Sequence, residues 1–344
     1  MNKKRATSQD VARLAGVSRT TVSFVLNNIQ GVKISEATRA KIHNAARELN
    51  YLPNVSGRKL VSGKSNTIGL VLLQSFVQVQ ADANLINVML GVEKAASEFG
   101  YHVLLKHLEK NVSSYTHLIR ENSVDGIILS GPRKDDENLI RMYHEGFPVV
   151  LMGQLPGSDL PSVDIDNQKA AAEIVSHLIS LNHRHIAMIT NAPIEFTSAQ
   201  QRISGYQEAL RAGGIEPDPA YIKAGNYTPE SGRLAMKVLL ETIPHLSAVF
   251  IASDVVAIGA IQAITDAGLR IPQDISVAGF DDIPLAGYFT PPLTTMRLPS
   301  SELGFAAGKQ LLRILQGEKL ETTPIILKSD LIVRSSSLAK ENSR

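Results

Sequence analysis

Residues 7–27, TSQDVARLAGVSRTTVSFVLN, spell two short helices joined by a tight turn. Thr7 can cap the first helix, Val11, Ala12 and Leu14 give it an apolar face, and Gly16 breaks it where the chain must turn sharply. Ser18 caps a second helix at once. Val22, Val25 and Leu26 fall there at i, i+3 and i+4, which leaves Arg19, Thr20, Thr21 and Ser23 to face outward. A helix held at this angle by a small-residue turn can lay its N-terminal end in the major groove of DNA, against base edges. The same residues would also make a plain helical hairpin, and charge argues against that. Residues 1–64 hold twelve Lys and Arg against three Asp and Glu, whereas the rest of the chain holds 23 against 30. A basic front end on an acidic body is the electrostatic footprint of a nucleic-acid-binding arm.

The organisation behind this unit follows from patterning. Ser35 caps a third helix whose Ile42, Ala45, Ala46 and Leu49 close a small core over the first two, ending near Asn50 and Pro53. Residues 1–53 thus read as an all-α helix-turn-helix headpiece, small enough for marginal stability. Residues 54–66 are polar, basic and rich in Ser and Gly, a hinge or linker with one conspicuous apolar residue, Leu60. From residue 67 to 344 short apolar runs alternate with amphipathic stretches. The runs include TIGLVLL, YHVLLKH, VDGIILSG, FPVVLMG, HIAMIT, YIKAG, AVFIAS and SVAGFD; the helices include 84–99, 168–181, 198–212, 229–243 and 254–267. This alternation predicts an α/β core with parallel sheets covered by helices, and its length favours two lobes.

Composition narrows the function classes. With 344 residues, 44% of them hydrophobic, the chain can bury a large core. The absence of cysteine removes disulfides, thiolate metal sites and cysteine nucleophiles, and fits a reducing cytoplasm. MNKKRATSQD is basic but no apolar run follows it, and no stretch approaches the ~18–20 apolar residues of a membrane span, so a cytoplasmic location is expected. Enzyme signatures fail on spacing. No two glycines are separated by a single residue, so no GxGxxG fingerprint exists, and the GKS at 63–65 lacks its partner glycine. There is no GxSxG or HExxH, and His183 with His185 reads as a surface or strand-edge pair rather than a metal site. No metal, cofactor or catalytic residue is expected.

In open α/β sheets ligands sit beyond the carboxyl ends of strands. There the sequence places Asp281 and Asp282, Ser253 and Asp254, Ser198 with Arg202, and Tyr227. Each has a structural alternative: Asp254 and Asp282 as helix caps, Arg202 in an ion pair, Tyr227 as packing at the core edge. Together a carboxylate, a guanidinium fork and an aromatic face suit a sugar or another small polar ligand.

From Thr7 to about Ser335 the chain resembles the lactose/galactose repressor family. The likeness rests on DVARLAGVSRTTVSFVLNN, ISEATRAKIHNAARELNYLPN, VDGIIL, RISGY at 202–206, SDVVAIGAI at 253–261, SVAGFDD at 276–282 and PPLTTMRLP at 291–299. It implies a homodimeric regulator with a helix-turn-helix headpiece, a hinge and a two-lobed core like a periplasmic sugar-binding protein, the effector lying between lobes. By resemblance Arg19 and Thr20 read bases in a palindromic operator of double-stranded DNA, with Thr7, Ser18, Thr21, Ser23 and Asn27 helping to anchor the helix. Leu60 matches a hinge leucine that wedges into the minor groove, and Asn54 and Arg58 help hold groove and backbone. Phe196, Ser198, Arg202, Tyr227, Ser253 and Asp281 match the effector cleft. Three positions depart from the pattern. Residues 82–85 (DANL) replace a common Asn-Pro-Phe-Phe segment, Phe24 replaces a frequent basic residue, and Gly57 stands where an alanine usually favours a hinge helix. A carbohydrate inducer is expected. A purine-like co-repressor and a solute receptor without DNA function are the competing readings.

Overall fold

The computed structural model describes residues 6–27, 31–51, 64–108, 115, 123–134, 136–319 and 323–340. The chain divides into two compact units, Met1–Ser65 and Asn66–Arg344. In the first, α1 (Ser8–Ala15) starts from a reciprocal capping box: the Asp10 N–H donates to the Thr7 hydroxyl, and the Asp10 carboxylate accepts the Thr7 N–H at 3.0 Å. Gly16, at φ 67°, ends it in the left-handed region that glycine alone enters freely. α2 (Arg19–Leu26) and α3 (Glu36–Glu48) begin from Ser18 and Ser35, whose hydroxyls accept the N–H groups of Thr21 and Thr38 at 3.1 and 3.3 Å. Each such cap is worth about 1 kcal/mol, a large share of what so small a domain can hold.

Val11, Ala12, Val22, Val25, Ile42, Ala45 and Ala46 form the headpiece core, with Leu49 half-buried against it. The expected apolar face of α1 needs one correction, because Leu14 is 47% exposed. At about 100° per residue the core-facing side is centred between Val11, Ala12 and Ala15, and Leu14 lies roughly 110° away from that centre. The hinge residues Asn54, Gly57, Arg58 and Leu60 lie outside the described residues.

The second unit is built on two sheets. The first runs β11–β5–β4–β3–β1–β2, with β1 Thr67–Leu72, β2 His102–His107, β3 Gly126–Ser130, β4 Val149–Met152, β5 Ser162–Ile165 and β11 Ile325–Leu327, all parallel. The second runs β12–β10–β9–β8–β6–β7, with β6 Ile186–Ile189, β7 Ile222–Lys223, β8 Ala248–Ile251, β9 Ser276–Asp281, β10 Thr294–Arg297 and β12 Asp330–Ile332. It is parallel except for β12, which pairs antiparallel with β10. Interior strands such as Gly126–Ser130 and Val149–Met152 are apolar but for the terminal Ser130 because helices cover both faces; edge strand β2 is half exposed and carries polar residues.

The helices are α4 Phe76–Ala81, α5 Leu85–Glu98, α6 Glu137–His144, α7 Asn167–Ser180, α8 Thr197–Ala212, α9 Pro229–Thr242, α10 Asp254–Asp266 and α11 Ser300–Leu315. They pack in pairs: α5 on α11, α7 on α8, α9 on α10. Gly205 explains one close pairing, since a Cβ there would run into the Gln168 carbonyl oxygen of α7. Among the described residues the chain passes between the two lobes three times: from β5 into α7, from β10 into α11, and from β11 to β12.

Residues 333–340 return across the second lobe. His183, expected at a surface or strand edge, is 3% exposed and holds this return: its ring nitrogens contact Ser247 Oγ at 3.1 Å and the Leu338 carbonyl at 3.0 Å. Desolvation lowers its pKa. Among the described residues no group of three or more metal-ligating side chains occurs, and no helix is long and apolar enough to cross a membrane.

Candidate functional site

Two sites emerge. In the headpiece, Arg19 and Thr20 are exposed at the first turn of α2. Their neighbours are tied to the helix itself. The Thr21 hydroxyl lies 2.8 Å from Ser18 Oγ, and the Asn27 amide donates to Ser23 Oγ at 3.1 Å. Thr7 and Ser18 are exposed but serve as caps. Phe24 is half-buried rather than offered outward. The first turn of α2 is thus a rigid, capped end presenting one guanidinium and one hydroxyl.

In the core, the carboxyl ends of β6, β8 and β9 converge on one cluster. Arg202, on α8, is 6% exposed, with Nε donating to Asn167 Oδ1 at 2.9 Å and Nη1 to the Ala252 carbonyl at 2.7 Å. Its guanidinium carbon lies 3.7 Å from the centre of the Phe280 ring, a cation–π contact that keeps the charge in an apolar wall. Ser253 donates to Asp281 Oδ2 at 3.0 Å. Phe196, at the start of α8, meets Tyr227 edge to face with ring centroids 5.5 Å apart. Ser198 accepts from the Asn191 amide at 3.2 Å and also bonds Tyr227. Asn191 Oδ1 is buried and without a partner, an acceptor left over beside this cluster. The six residues expected in the cleft therefore come together.

The backbone is strained there. Tyr227 sits at φ 57° and Asp281 at φ 125°, conformations that cost side-chain-bearing residues about 1–3 kcal/mol each and cluster at functional sites. Electrostatics are equally unusual. Burial pushes the Asp281 carboxyl up to about 7, against the pull of Arg202. Burial raises the Tyr227 hydroxyl and lowers Arg202, whose charge is held by Asp281, Asp164 and Asp254.

Asp254 and Asp282, the other two acids at strand ends, have structural tasks. Asp254 is fully buried, accepting Thr295 Oγ1 at 2.7 Å and the Ile283 N–H at 3.0 Å; Ser253, not Asp254, occupies the cap position of α10. Asp282 pairs with Arg297 at 2.8 Å and Arg334 at 2.7 Å. Neither caps a helix.

The first lobe adds residues that sequence reasoning missed. Gln78 of α4 donates its amide to Asn226 Oδ1, bridging the lobes. Arg133 donates to the Leu73 carbonyl at 3.2 Å and lies 4.8 Å from the Phe196 ring centre, while its Nε is buried without a partner. At the first crossing Asp164 accepts Asn167 Nδ2 at 3.1 Å on both oxygens, and Asn167 in turn holds Arg202. Burial pushes the Asp164 carboxyl up to about 6. No local pattern announces these residues, because their roles depend on which lobe faces them.

This architecture, a capped helix-turn-helix ahead of a two-lobed α/β core with a polar and aromatic cluster at its strand ends, defines a ligand-responsive DNA-binding regulator. Residues 7–54 match the model of bacterial regulatory proteins of the lacI family, and residues 175–337 match the periplasmic binding protein-like domain. The chain is 37% identical over 338 residues to the HTH-type transcriptional repressor CytR of Escherichia coli strain K12, covering 97% of each chain. Among solved structures, it resembles the transcriptional regulator CelR–cellobiose complex at TM-score 0.75 and 32% identity, over 97% of this chain and 100% of that one. The lac repressor dimer bound to operator and the anti-inducer ONPF matches at TM-score 0.84 and 29% identity, over 98% and 100%. The chain belongs to the lacI family of transcription regulators.

Proposed function

We propose that the protein is a cytoplasmic, homodimeric repressor that acts by binding alone. It holds a palindromic operator through the exposed start of α2 and releases it when a carbohydrate enters the cleft between the core lobes. The observation that carries the reading is the convergence of Arg202, Asp281, Ser253, Phe196 and Tyr227 at strand ends of a chain that also carries a capped, basic helix-turn-helix. A guanidinium and a carboxylate grip hydroxyls in both directions, and an aromatic wall covers the apolar face of a sugar ring.

Arg19 and Thr20 are assigned to base edges, with Thr7, Ser18, Thr21, Ser23 and Asn27 holding the helix for backbone contact. Asn54, Arg58 and Leu60 are assigned to the hinge, Leu60 as an apolar wedge in the minor groove. An inducer that weakens operator binding must itself be bound less tightly by the operator-bound form, because coupling between sites is reciprocal. Genomic DNA pull-down followed by gel shift on the recovered palindromes tests this. Specific retardation that a carbohydrate relieves is expected; a full-length protein that retards no duplex at low salt would sink the proposal.

A further inference from the structure

The two lobes also meet away from the crossings. The loop after β3 runs antiparallel to the loop that leads into α8, with Arg133 opposite Phe196. The Lys134 N–H donates to the Glu195 carbonyl at 3.2 Å, and the Thr197 N–H donates to the Pro132 carbonyl at 3.3 Å. This pattern makes Arg133 and Phe196 a non-hydrogen-bonded pair, the kind in which facing side chains come closest. It accounts for the Arg133 guanidinium lying over the Phe196 ring.

Each side of this short ladder is anchored in its own lobe. On the first-lobe side the Gly131 N–H donates to the Met152 carbonyl at 3.1 Å, and Arg133 holds the Leu73 carbonyl just beyond β1. A Cβ on Gly153 would run into the Pro132 ring, so Pro132 sits tight against the end of β4. On the second-lobe side the ladder runs into α8 itself. α7 and α9 take side-chain caps from Asp166 and Thr228, whereas Phe196 gives α8 none. The first N–H of α8, on Thr197, is satisfied from the other lobe instead. Thr197 is 3% exposed, and its hydroxyl donates to the same Pro132 carbonyl at 3.3 Å. Parting the lobes would strip both donors of their acceptor, so the ladder favours the joined form.

We propose that this ladder is the joint through which closure of the lobes reaches the ligand site, and that Thr197 is its positioning residue. The crossings are covalent and persist in every state, whereas the ladder can be made and broken. Thr197 lies between Phe196 and Ser198, so its bonds to Pro132 hold both where they meet Tyr227 and Asn191. The proposal rests on the assignment of Phe196, Ser198 and Tyr227 to the effector.

The test uses the full-length chain, which has no cysteine of its own. Lys134→Cys with Glu195→Cys places thiols on paired residues about 5.5 Å apart at Cα, within disulfide range. Bridge formation by oxidised glutathione is timed in this parent and with Thr197→Ser, Thr197→Val or Thr197→Pro added. Thr197→Ser keeps both donors and Thr197→Val removes the hydroxyl. Thr197→Pro removes both, yet suits the first position of a helix that follows an extended Phe196. The parent and Thr197→Ser are expected to bridge at one rate, Thr197→Val at least about threefold and Thr197→Pro at least about tenfold more slowly. Equal rates throughout, or no bridge in the parent, overturn the joint. Calorimetry without the added cysteines then follows the tightest binder from a panel of neutral sugars and nucleosides that includes cellobiose. Affinity is expected to hold in Thr197→Ser and to fall at least about tenfold in Thr197→Pro, with thermal midpoints checking that each variant is folded. Should Thr197→Pro not fold, Thr197→Val carries the comparison with a loss of about threefold. Unchanged affinity in the folded variants overturns the positioning role. No binding by any member is a failure of the effector reading and takes the positioning role with it, while the bridging rates still decide the joint.

Discussion

Asp281 combines a positive φ, a bond from Ser253 and a carboxyl raised to about 7. In an unfolded chain the same group titrates near ~4. Between those values the folded protein holds a proton that the unfolded chain has released, so this group's contribution to stability falls as pH rises from about 4 to about 7. Asp164, raised to about 6, acts with the same sign. Asp281→Asn is therefore expected to gain in Tm over the wild type at pH 8 and to lose that gain by pH 4, as followed by differential scanning calorimetry. The same variant should keep operator affinity while losing its response to effector; a normal response in gel shift would remove Asp281 from the ligand site. Arg19 and Thr20 carry the opposite expectation. Both are exposed and outside the headpiece core, so Arg19→Ala and Thr20→Ala should leave stability within about 0.5 kcal/mol and relax base preference by about 1–3 kcal/mol at the positions they read. Selection from randomised half-sites measures that preference, and an unchanged preferred site counts against the assignment.

The motif RISGY at 202–206 resolves, at the level of elements, into three tasks on one helix. Arg202 faces the cleft, Gly205 lets α8 approach α7, and Tyr206 is fully buried with its hydroxyl donating to the Ile186 carbonyl at 2.7 Å. Gly205→Ala forces a methyl against the Gln168 backbone, so a loss of about 1–3 kcal/mol in urea unfolding is expected; an unchanged midpoint would mean that the helices separate freely. What the sequence made legible follows the same logic of local chemistry. The caps Thr7, Ser18 and Ser35 were readable because a hydroxyl satisfies N–H groups a few residues away. The buried strands were readable as apolar runs. β5 and β10 were not, because SVDI and TTMR are short and mixed, and Thr294 and Thr295 are buried by virtue of bonds to residues some 40 positions distant, 40 for Arg334 and 41 for Asp254. The second-lobe half of the cluster was legible at strand ends, whereas Gln78 and Arg133 reach it from the first lobe, through packing that no short window encodes.

Taken over the whole chain, twelve basic against three acidic residues in 1–64 predict strongly salt-dependent DNA binding, since each phosphate neutralised releases counterions. Specificity should depend instead on two headpieces reading one palindrome at a fixed separation. Inserting about five base pairs, half a helical turn, between half-sites is expected to abolish tight binding while leaving non-specific binding intact, as footprinting would report. Leu60→Ala should weaken specific binding far more than non-specific binding; equal losses would reduce Leu60 to a spacer. In the core, the first crossing has a further consequence. Asp164 grips Asn167 and Asn167 grips Arg202, so the first crossing between the lobes and the group proposed to touch the ligand share one set of bonds. In the proposed reading, recognition and the join between lobes are a single part. An engineer who reshapes this site for a new ligand should leave Arg202 in place, because a change there also breaks the bond that ties it to the crossing.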